Sequence, residues 1–349
     1  MRWEQEDINI LRVYRRDGLT ISDIAQKMGR SYDSIKHAIA RYNIDSLLIK
    51  KPNKVVDELQ EIANAISEET MEDTIERIKS IYSTKWQTTK ERKTSNKKKN
   101  FKAYLIVADT HVPHQNDIAV KAVLNMMENY AFDGFVVLGD YMNMTPISHW
   151  LHDKNQRKSL EGMRMKEDYV IGNMLLDEFD KRLPKKCDKR FFFGNHELWH
   201  EEFVEKYPML DGLFNPTIEL KLKERGYKVY EDLNHIERIG RLSLTHGMYH
   251  NKHFLTKHID EFKTNVLVGH LHTSRLRLEN SPAKEVAIFG ASVGCLCDLN
   301  PAYNRNKPNK TSHGFAVVYF YDNGYFDVDL KRIVKGKFVF NNKLYDGNK

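Results

Sequence analysis

Five short apolar runs, each closed by a glycine, a carboxylate, an amide or an imidazole, constrain the fold of this chain more than any other feature. They are AYLIVAD (103–109), FVVLGD (135–140), RFFFGN (190–195), RLSLTHG (241–247) and NVLVGH (265–270). Continuous apolar runs bounded by turn residues are the pattern of strands buried on both faces. Between them, residues 117–130 and 161–182 carry apolar side chains at helical spacing, so an α/β fold is expected. Later, EVAIFGAS, GFAVVYFY and YFDVDL alternate more like antiparallel strands, and KGKFVFNNKLY reads as a closing hairpin.

What stands at the strand ends is chemically dense. In order come Asp109-Thr110-His111, Gly139-Asp140, Gly194-Asn195-His196-Glu197, His246-Gly247 and Gly269-His270-Leu271-His272. Gaps of 31, 55, 51 and 24 residues separate Asp109, Asp140, Asn195, His246 and His270, room for each strand to return through a helix or long loop. Ligands of α/β sheets bind beyond the carboxyl ends of strands. Two aspartates, one amide oxygen and five imidazoles would meet there. Singly each signal is weak: an Asp after a strand is often a cap, and Gly-Asn is usually a turn. His270 and His272 on a strand would share one face, because the side-chain period is two. The joint order of all five ends is what carries specificity.

Ahead of these runs, residues 1–45 read as three short helices. Ile8, Leu11 and Val13 lie in the first, which ends near Asp17-Gly18; Thr20 or Ser22 caps a second, closed by Gly29; Ser31 caps a third with Ile35, Ala38 and Ile39 on one face. ISDIAQKMGRSYDSIKHAIAR resembles helix-turn-helix segments of bacterial and phage regulators, whose second helix enters the DNA major groove. Arg30, Lys36 and Arg41 are the candidate nucleic-acid contacts. Eight Arg/Lys against seven Asp/Glu leave these residues at only +1, so a module that binds protein or merely folds stays open. Residues 53–89 carry helical spacing and read as a spacer, a homo-oligomerisation arm or packing for the later domain. KERKTSNKKKN (90–100), with six Lys/Arg, marks a solvated linker or a phosphate-backbone contact. The domains expected are 1–50, a helix-turn-helix-like module; 51–100, helical spacer and basic linker; and 101–349, the α/β domain.

Composition excludes more than it selects. The net charge of +7 over 349 residues is compatible with polyanions without being diagnostic of them. Three cysteines, Cys187, Cys295 and Cys297, make no disulfide framework, and no apolar run approaches the roughly 20 residues of a membrane span. MRWEQEDINI has no signal-peptide apolar region. A cytoplasmic protein, of a bacterium or a phage-infected host, is expected, with no membrane partner.

The order DxH, GD, GNHE, HG, GHxH resembles the calcineurin-like metallophosphoesterase superfamily, over residues 101–300 and most closely its phage and bacterial DNA-metabolism members. The resemblance implies a four-layer α/β/β/α sandwich of two mixed β-sheets, with the later antiparallel strands in the second sheet, preceded here by the small all-α module. It implies two divalent metal ions. Asp109, His111 and His272 would hold the first, Asn195, His246 and His270 the second, and Asp140 would bridge them. Mixed O/N donors favour manganese, with iron or zinc as alternatives. Cys295 and Cys297 receive no ligand role and read as structural thiols. A hydroxide bridging the metals would attack phosphorus, with His196 as the catalytic residue assisting the leaving group. Glu197 would orient a ligand or cap the next helix.

GDYMNMT departs from the acidic-Arg extension of the superfamily's protein phosphatases, which argues against phosphoprotein substrates. Asn143, where that acid would stand, is a second catalytic candidate that would hydrogen-bond His196. His114, His149, His200, His250 and His253 read as surface or supporting residues. Arg157, Lys158, Arg164 and Lys166 are candidate phosphate grips, and Tyr303 with Arg305 a candidate base contact. The function expected is a metal-dependent phosphodiesterase acting on nucleic acid, as a nuclease of DNA. A small-molecule phosphodiesterase or phosphatase of nucleotides is the alternative, and a non-catalytic DNA-binding regulator the third reading.

Overall fold

The apolar runs all become strands, and the carboxyl ends of parallel neighbours deliver the polar motifs. A computed structural model of the chain describes residues 3–16, 18–42, 44, 70–86, 100–149, 160–280, 282, 286–300 and 310–349. Residues 53–69, 87–99, Arg157, Lys158, Tyr303 and Arg305 lie outside the described residues. Contacts divide the chain into two units, Met1–Met71 and Glu72–Lys349.

The first unit contains α1 (Gln5–Arg16), α2 (Ile21–Met28) and α3 (Tyr32–Arg41). Thr20 caps α2 reciprocally with Asp23, Gly29 closes it in the left-handed region (φ 61°), and Ser31 caps α3. Leu11, Ile24, Ile35, Ala38 and Ile39 form its core. Among the described residues of this unit there are three helices, and the caps expected at Thr20, Gly29 and Ser31 are present.

The second unit opens with α4 (Met71–Lys85), whose Ile78, followed by Trp86, is buried in the core of that unit. Lys85 pairs with Asp117 at 2.6 Å, and Arg182 donates to the Trp86 carbonyl at 3.3 Å. Its strands run β1 (Phe101–Val107), β2 (Gly134–Leu138), β3 (Asp188–Phe192), β4 (Tyr227–Tyr230), β5 (Glu237–Ile239), β6 (Leu242–Thr245) and β7 (Asn265–Val268). They continue with β8 (Ser274–Glu279), β9 (Ile288–Val293), β10 (Gly314–Tyr321), β11 (Phe326–Arg332), β12 (Lys337–Phe340) and β13 (Lys343–Asp346). The main helices are α5 (Asp117–Met127), α6 (Met165–Arg182), α7 (Asn195–Lys206) and α8 (Phe254–Phe262).

Two mixed sheets result, β11-β10-β1-β2-β3-β4 and β5-β6-β7-β9-β8, beside the hairpin β12-β13. β1, β2 and β3 are parallel neighbours, as are β6 and β7. One apolar core takes residues from both sheets, among them Leu105, Val317, Leu244, Leu267 and Ala291. On β7 the period of two is visible in the packing. Leu267 joins that shared core, while Val266 and Val268 join a separate cluster with Phe254, Leu255 and Ile259 of α8.

The later strands correct one expectation. Only β9 of the three joins the second sheet, and it runs parallel to β7; β10 and β11 extend the first sheet, β10 pairing antiparallel with β1. Alternation in sequence reports a strand, whereas its sheet is set by a non-local partner. Phe101 and Tyr321, directly opposite in that pairing, are 220 positions apart. Among the described residues no helix is long and apolar enough to cross a membrane.

Candidate metal centre

Most of the motifs leave their strands on turns that ordinary residues resist. Asp109, His111, Asp140, His270 and His272 all have left-handed backbones, with φ between 49° and 70°. Such conformations cost on the order of 1 kcal/mol or more each and persist where the surroundings fix them. Glycines supply the close approaches: a Cβ at Gly139 (φ 85°) would run into the His246 ring, and one at Gly194 into the Asp140 carboxylate. The carboxyl ends can therefore stand nearly in contact.

Among the described residues the polar side chains converge in three overlapping groups: His111, His272 and Cys297 form one, and two others share Asp140. In one of those two, Asp109, His111, Asp140 and His272 bring ligand-type atoms within 4.8 Å of one another; in the other, Asp140, His246 and His270 do so. Asp140 Oδ2 lies 3.4 Å from His246 Nε2 and 3.7 Å from His111 Nε2. Asp109 Oδ1 lies 3.4 Å from His272 Nε2, and the Asp109 carboxylate accepts the His270 backbone N–H at 3.0 Å. Asn195, first residue of α7, places Oδ1 3.4 Å from His246 Nε2. Asp109, His111, Asp140 and His246 are buried.

Ring tautomers follow from the partners at Nδ1. His246 Nδ1 donates to the Leu138 carbonyl at 2.8 Å, and His111 Nδ1 to Asn143 Oδ1 at 2.9 Å, so both turn Nε2, the nitrogen left for a proton or a cation, toward Asp140. His196 Nδ1 donates to the Asn143 backbone carbonyl at 2.8 Å, and its ring lies 3.9 Å from that of Trp199. His111 and His272 face each other Nε2 to Nε2 at 3.0 Å, a separation that two lone pairs would avoid without a proton or cation between them. His270 Nδ1 is buried with no hydrogen-bond partner. Orphaned buried nitrogen, opposed ring nitrogens and a shared carboxylate are what a divalent cation would complete, so these residues fit a divalent metal site.

Electrostatics agree. Burial alone would raise the Asp140 carboxyl, but the His246 and His196 rings hold it well below the usual carboxylate range. Burial lowers His246, yet the Asp140 carboxylate beside it lifts it to about 9. Burial and the His246 charge push His270 down to about 4.

The structure redistributes several roles. Asn143 touches two imidazoles with different atoms: its backbone carbonyl holds His196, while its side chain holds His111 and donates to Thr145. The side chain therefore serves a ligand ring rather than His196. Glu197 does both things considered for it. Its carboxylate accepts the backbone N–H of Asp140 at 3.0 Å, Met142 at 2.7 Å and Gly194 at 2.8 Å, the last closing a helix cap. Burial and the Asp140 charge raise it to about 7.

His270 and His272 do not share a strand face. β7 stops at Val268, both histidines sit in left-handed turn positions, and they enter different groups. Cys297 touches the centre, with Sγ 3.5 Å from His272 Nδ1, although the motifs give it no role. A cysteine 25 positions from His272 offers no pattern to read; the signal was the C-x-C directly after a core strand. His200 Nε2 donates to the Leu213 carbonyl at 2.8 Å, and His149 pairs with Glu202 at 2.9 Å.

In the N-terminal unit, Arg30 is not presented to solvent. It pairs with Asp7 at 2.6 Å, lies over the Trp3 ring at 4.4 Å, and its side chain is 10% exposed. Lys36 and Arg41 are exposed on α3.

No known family profile matches the chain, and no curated protein does. Solved structures are similar only at low identity. A conserved uncharacterized protein described as a predicted phosphoesterase, from Streptococcus pneumoniae, is 16% identical over 70% of this chain and 98% of its own, with a TM-score of 0.31. Vacuolar protein sorting 29 (Vps29) from Entamoeba histolytica is 12% identical over 66% of this chain and 98% of its own, TM-score 0.30. The same-named protein from Cryptosporidium parvum is 12% identical over 67% and 98%, TM-score 0.32.

Proposed function

We propose that this protein is a dinuclear-metal-dependent phosphoesterase of the calcineurin-like type that hydrolyses phosphodiester bonds, with DNA as its substrate. The observation that carries the reading is Asp140, whose carboxylate belongs to two of the ligand groups. Two cations so close repel strongly unless an anion lies between them. Asp109, His111 and His272 would hold one ion and Asn195, His246 and His270 the other; manganese suits these O/N donors, with iron or zinc as alternatives. The ions would polarise the phosphoryl group and activate water.

The chain's own groups do the rest. With the Nδ1 proton of His196 held on the Asn143 carbonyl, Nε2 is the nitrogen that exchanges a proton with the leaving oxygen. Trp199 fixes that ring from behind, and Glu197 fixes the Asp140 turn through main-chain N–H groups. A four-layer α/β/β/α sandwich is supported by the two-sided packing of β7. DNA as substrate is supported by the α2–Gly29–α3 arrangement, with Lys36 and Arg41 exposed on the second helix, and by the basic run at 90–99.

Manganese-dependent hydrolysis of bis(p-nitrophenyl) phosphate, run beside single- and double-stranded DNA, tests the reading. His196→Ala is expected to lower both activities by about 10²–10⁴-fold. DNA cleavage is expected to fall steeply with salt. Dye cleavage with DNA left intact would move the substrate to small nucleotides. Hydrolysis of neither, with metals bound, would leave a DNA-binding regulator.

A further inference from the structure

The imidazoles of the centre differ in what holds them. His111 is held by an amide oxygen, and His246 and His196 by backbone carbonyls. His272 has a thiol, Cys297, at its Nδ1, 3.5 Å away. We propose that Cys297 is a positioning residue for His272, fixing the ring so that Nε2 faces Asp109 and His111.

The backbone around the pair is pinned on every side. The Cys297 carbonyl accepts His313 Nε2–H at 2.8 Å, and Cys297 forms an isolated bridge with Gln115. Ser312 links the other ends: its backbone N–H donates to the His272 carbonyl at 2.7 Å, and its carbonyl accepts the Cys295 N–H at 3.1 Å. Sulfur and ring are thus carried on segments tied to each other, and the sulfur position is set by the fold. Cys297 and Cys295 are both buried, but Cys295 Sγ turns to the Ser312 carbonyl at 3.6 Å. Cys295 also lies against the Cys297 thiol, but of the two it is Cys297 that touches the His272 ring. Ring partners of this kind change metal affinity by about 10–100-fold when removed.

The inference rests on the proposed metal pair and is read by metal binding rather than turnover. Manganese titration calorimetry on the full chain is expected to resolve two sites in the wild type. Cys297→Ala is expected to weaken one of them by about 10–100-fold and leave the other unchanged. Cys297→Ser, which keeps a hydrogen-bonding atom, is expected to recover most of the loss. Cys295→Ala, which removes a buried thiol that lies against Cys297, is expected to cost clearly less than Cys297→Ala. Cobalt-loaded wild type is expected to lack an intense thiolate charge-transfer band, because the sulfur meets His272 at Nδ1 while Nε2 is the nitrogen that faces Asp109 and His111.

Unchanged binding in Cys297→Ala, no recovery by Ser, or equal losses from Cys295→Ala would overturn the positioning role while leaving the metal pair standing. A thiolate–cobalt band would make Cys297 a ligand instead, contradicting it differently. Wild type that takes up no metal would remove the proposed function and this inference together.

Discussion

The two ligand groups around Asp140 are built on different principles. In the group of Asp109, His111 and His272, the rings are oriented by side chains, Asn143 and Cys297. In the group of His246 and His270, His246 is oriented by the Leu138 carbonyl, and His270 Nδ1 has no hydrogen-bond partner among the described residues. Main-chain orientation cannot be removed by substitution and is as firm as the strand that supplies it. Side-chain orientation is tunable one residue at a time. The first position is therefore where substituting a ring's side-chain partner acts on affinity, whereas the second has a main-chain partner at His246 that no substitution removes.

Removing a ring's side-chain partner gives the largest loss of metal affinity expected outside the ligands and sharpens that contrast. Asn143→Ala removes the acceptor of His111 Nδ1 but keeps the carbonyl that holds His196. It is expected to weaken one manganese site by about 10–100-fold. With both metals forced on at high concentration, hydrolysis is expected to recover, because His196 keeps its carbonyl partner. Equal weakening of both sites would break the comparison.

Next in size is the strap common to both groups. Glu197→Gln leaves only one acceptor oxygen for three backbone N–H groups that the carboxylate now satisfies. One buried donor without an acceptor costs about 1–3 kcal/mol, so thermal unfolding of the metal-free protein is expected to fall by several degrees. Because the strap holds the Asp140 turn, both sites are expected to weaken together, unlike the Asn143 case. An unaltered melting temperature would show that the three N–H groups find other partners.

The smallest effect lies away from the centre, where a buried carboxyl has neither metal nor main-chain strap. Burial, then the Glu167 charge, raises Asp168 to about 8. The folded state thus keeps a proton that the unfolded chain releases near the ordinary carboxylate value. Its contribution to stability is full below that value and is lost as pH rises through about 8. Melting temperature is expected to drop by about 2–4 °C for each kcal/mol lost on going from pH 6 to pH 9. In Asp168→Asn the drop is expected to be smaller; an equal drop would place the titrating group elsewhere.

How much of this was legible in the sequence depends on how local each cause is. β1, β2, β3, β6 and β7 were readable because strands buried on both faces are apolar throughout, and the caps at Thr20, Gly29 and Ser31 act within one helical turn. The hairpin was readable too, since Asn341 and Asn342, both in the left-handed region, mark its turn. Sheet membership of β10 and β11 was not, because their partner β1 comes from the far end of the domain.

Within the centre, residue types could be nominated from strand ends, but not which atom of Asn143 meets which ring. That depends on the turn after β2, where Met144 also has a left-handed backbone (φ 54°). Arg30 misled for the same reason in reverse. Its neighbours in sequence suggest a nucleic-acid contact, whereas its partners Trp3 and Asp7 lie more than twenty residues earlier.

The central claim is that one carboxylate serves two cations, and metal stoichiometry tests it most directly. Manganese bound per chain, measured by elemental analysis after equilibrium dialysis, is expected to be two in the wild type. In Asp140→Ala it is expected to be one or fewer, since both positions lose their shared ligand. A wild-type value of one, or an Asp140→Ala protein that still binds two, would contradict the account.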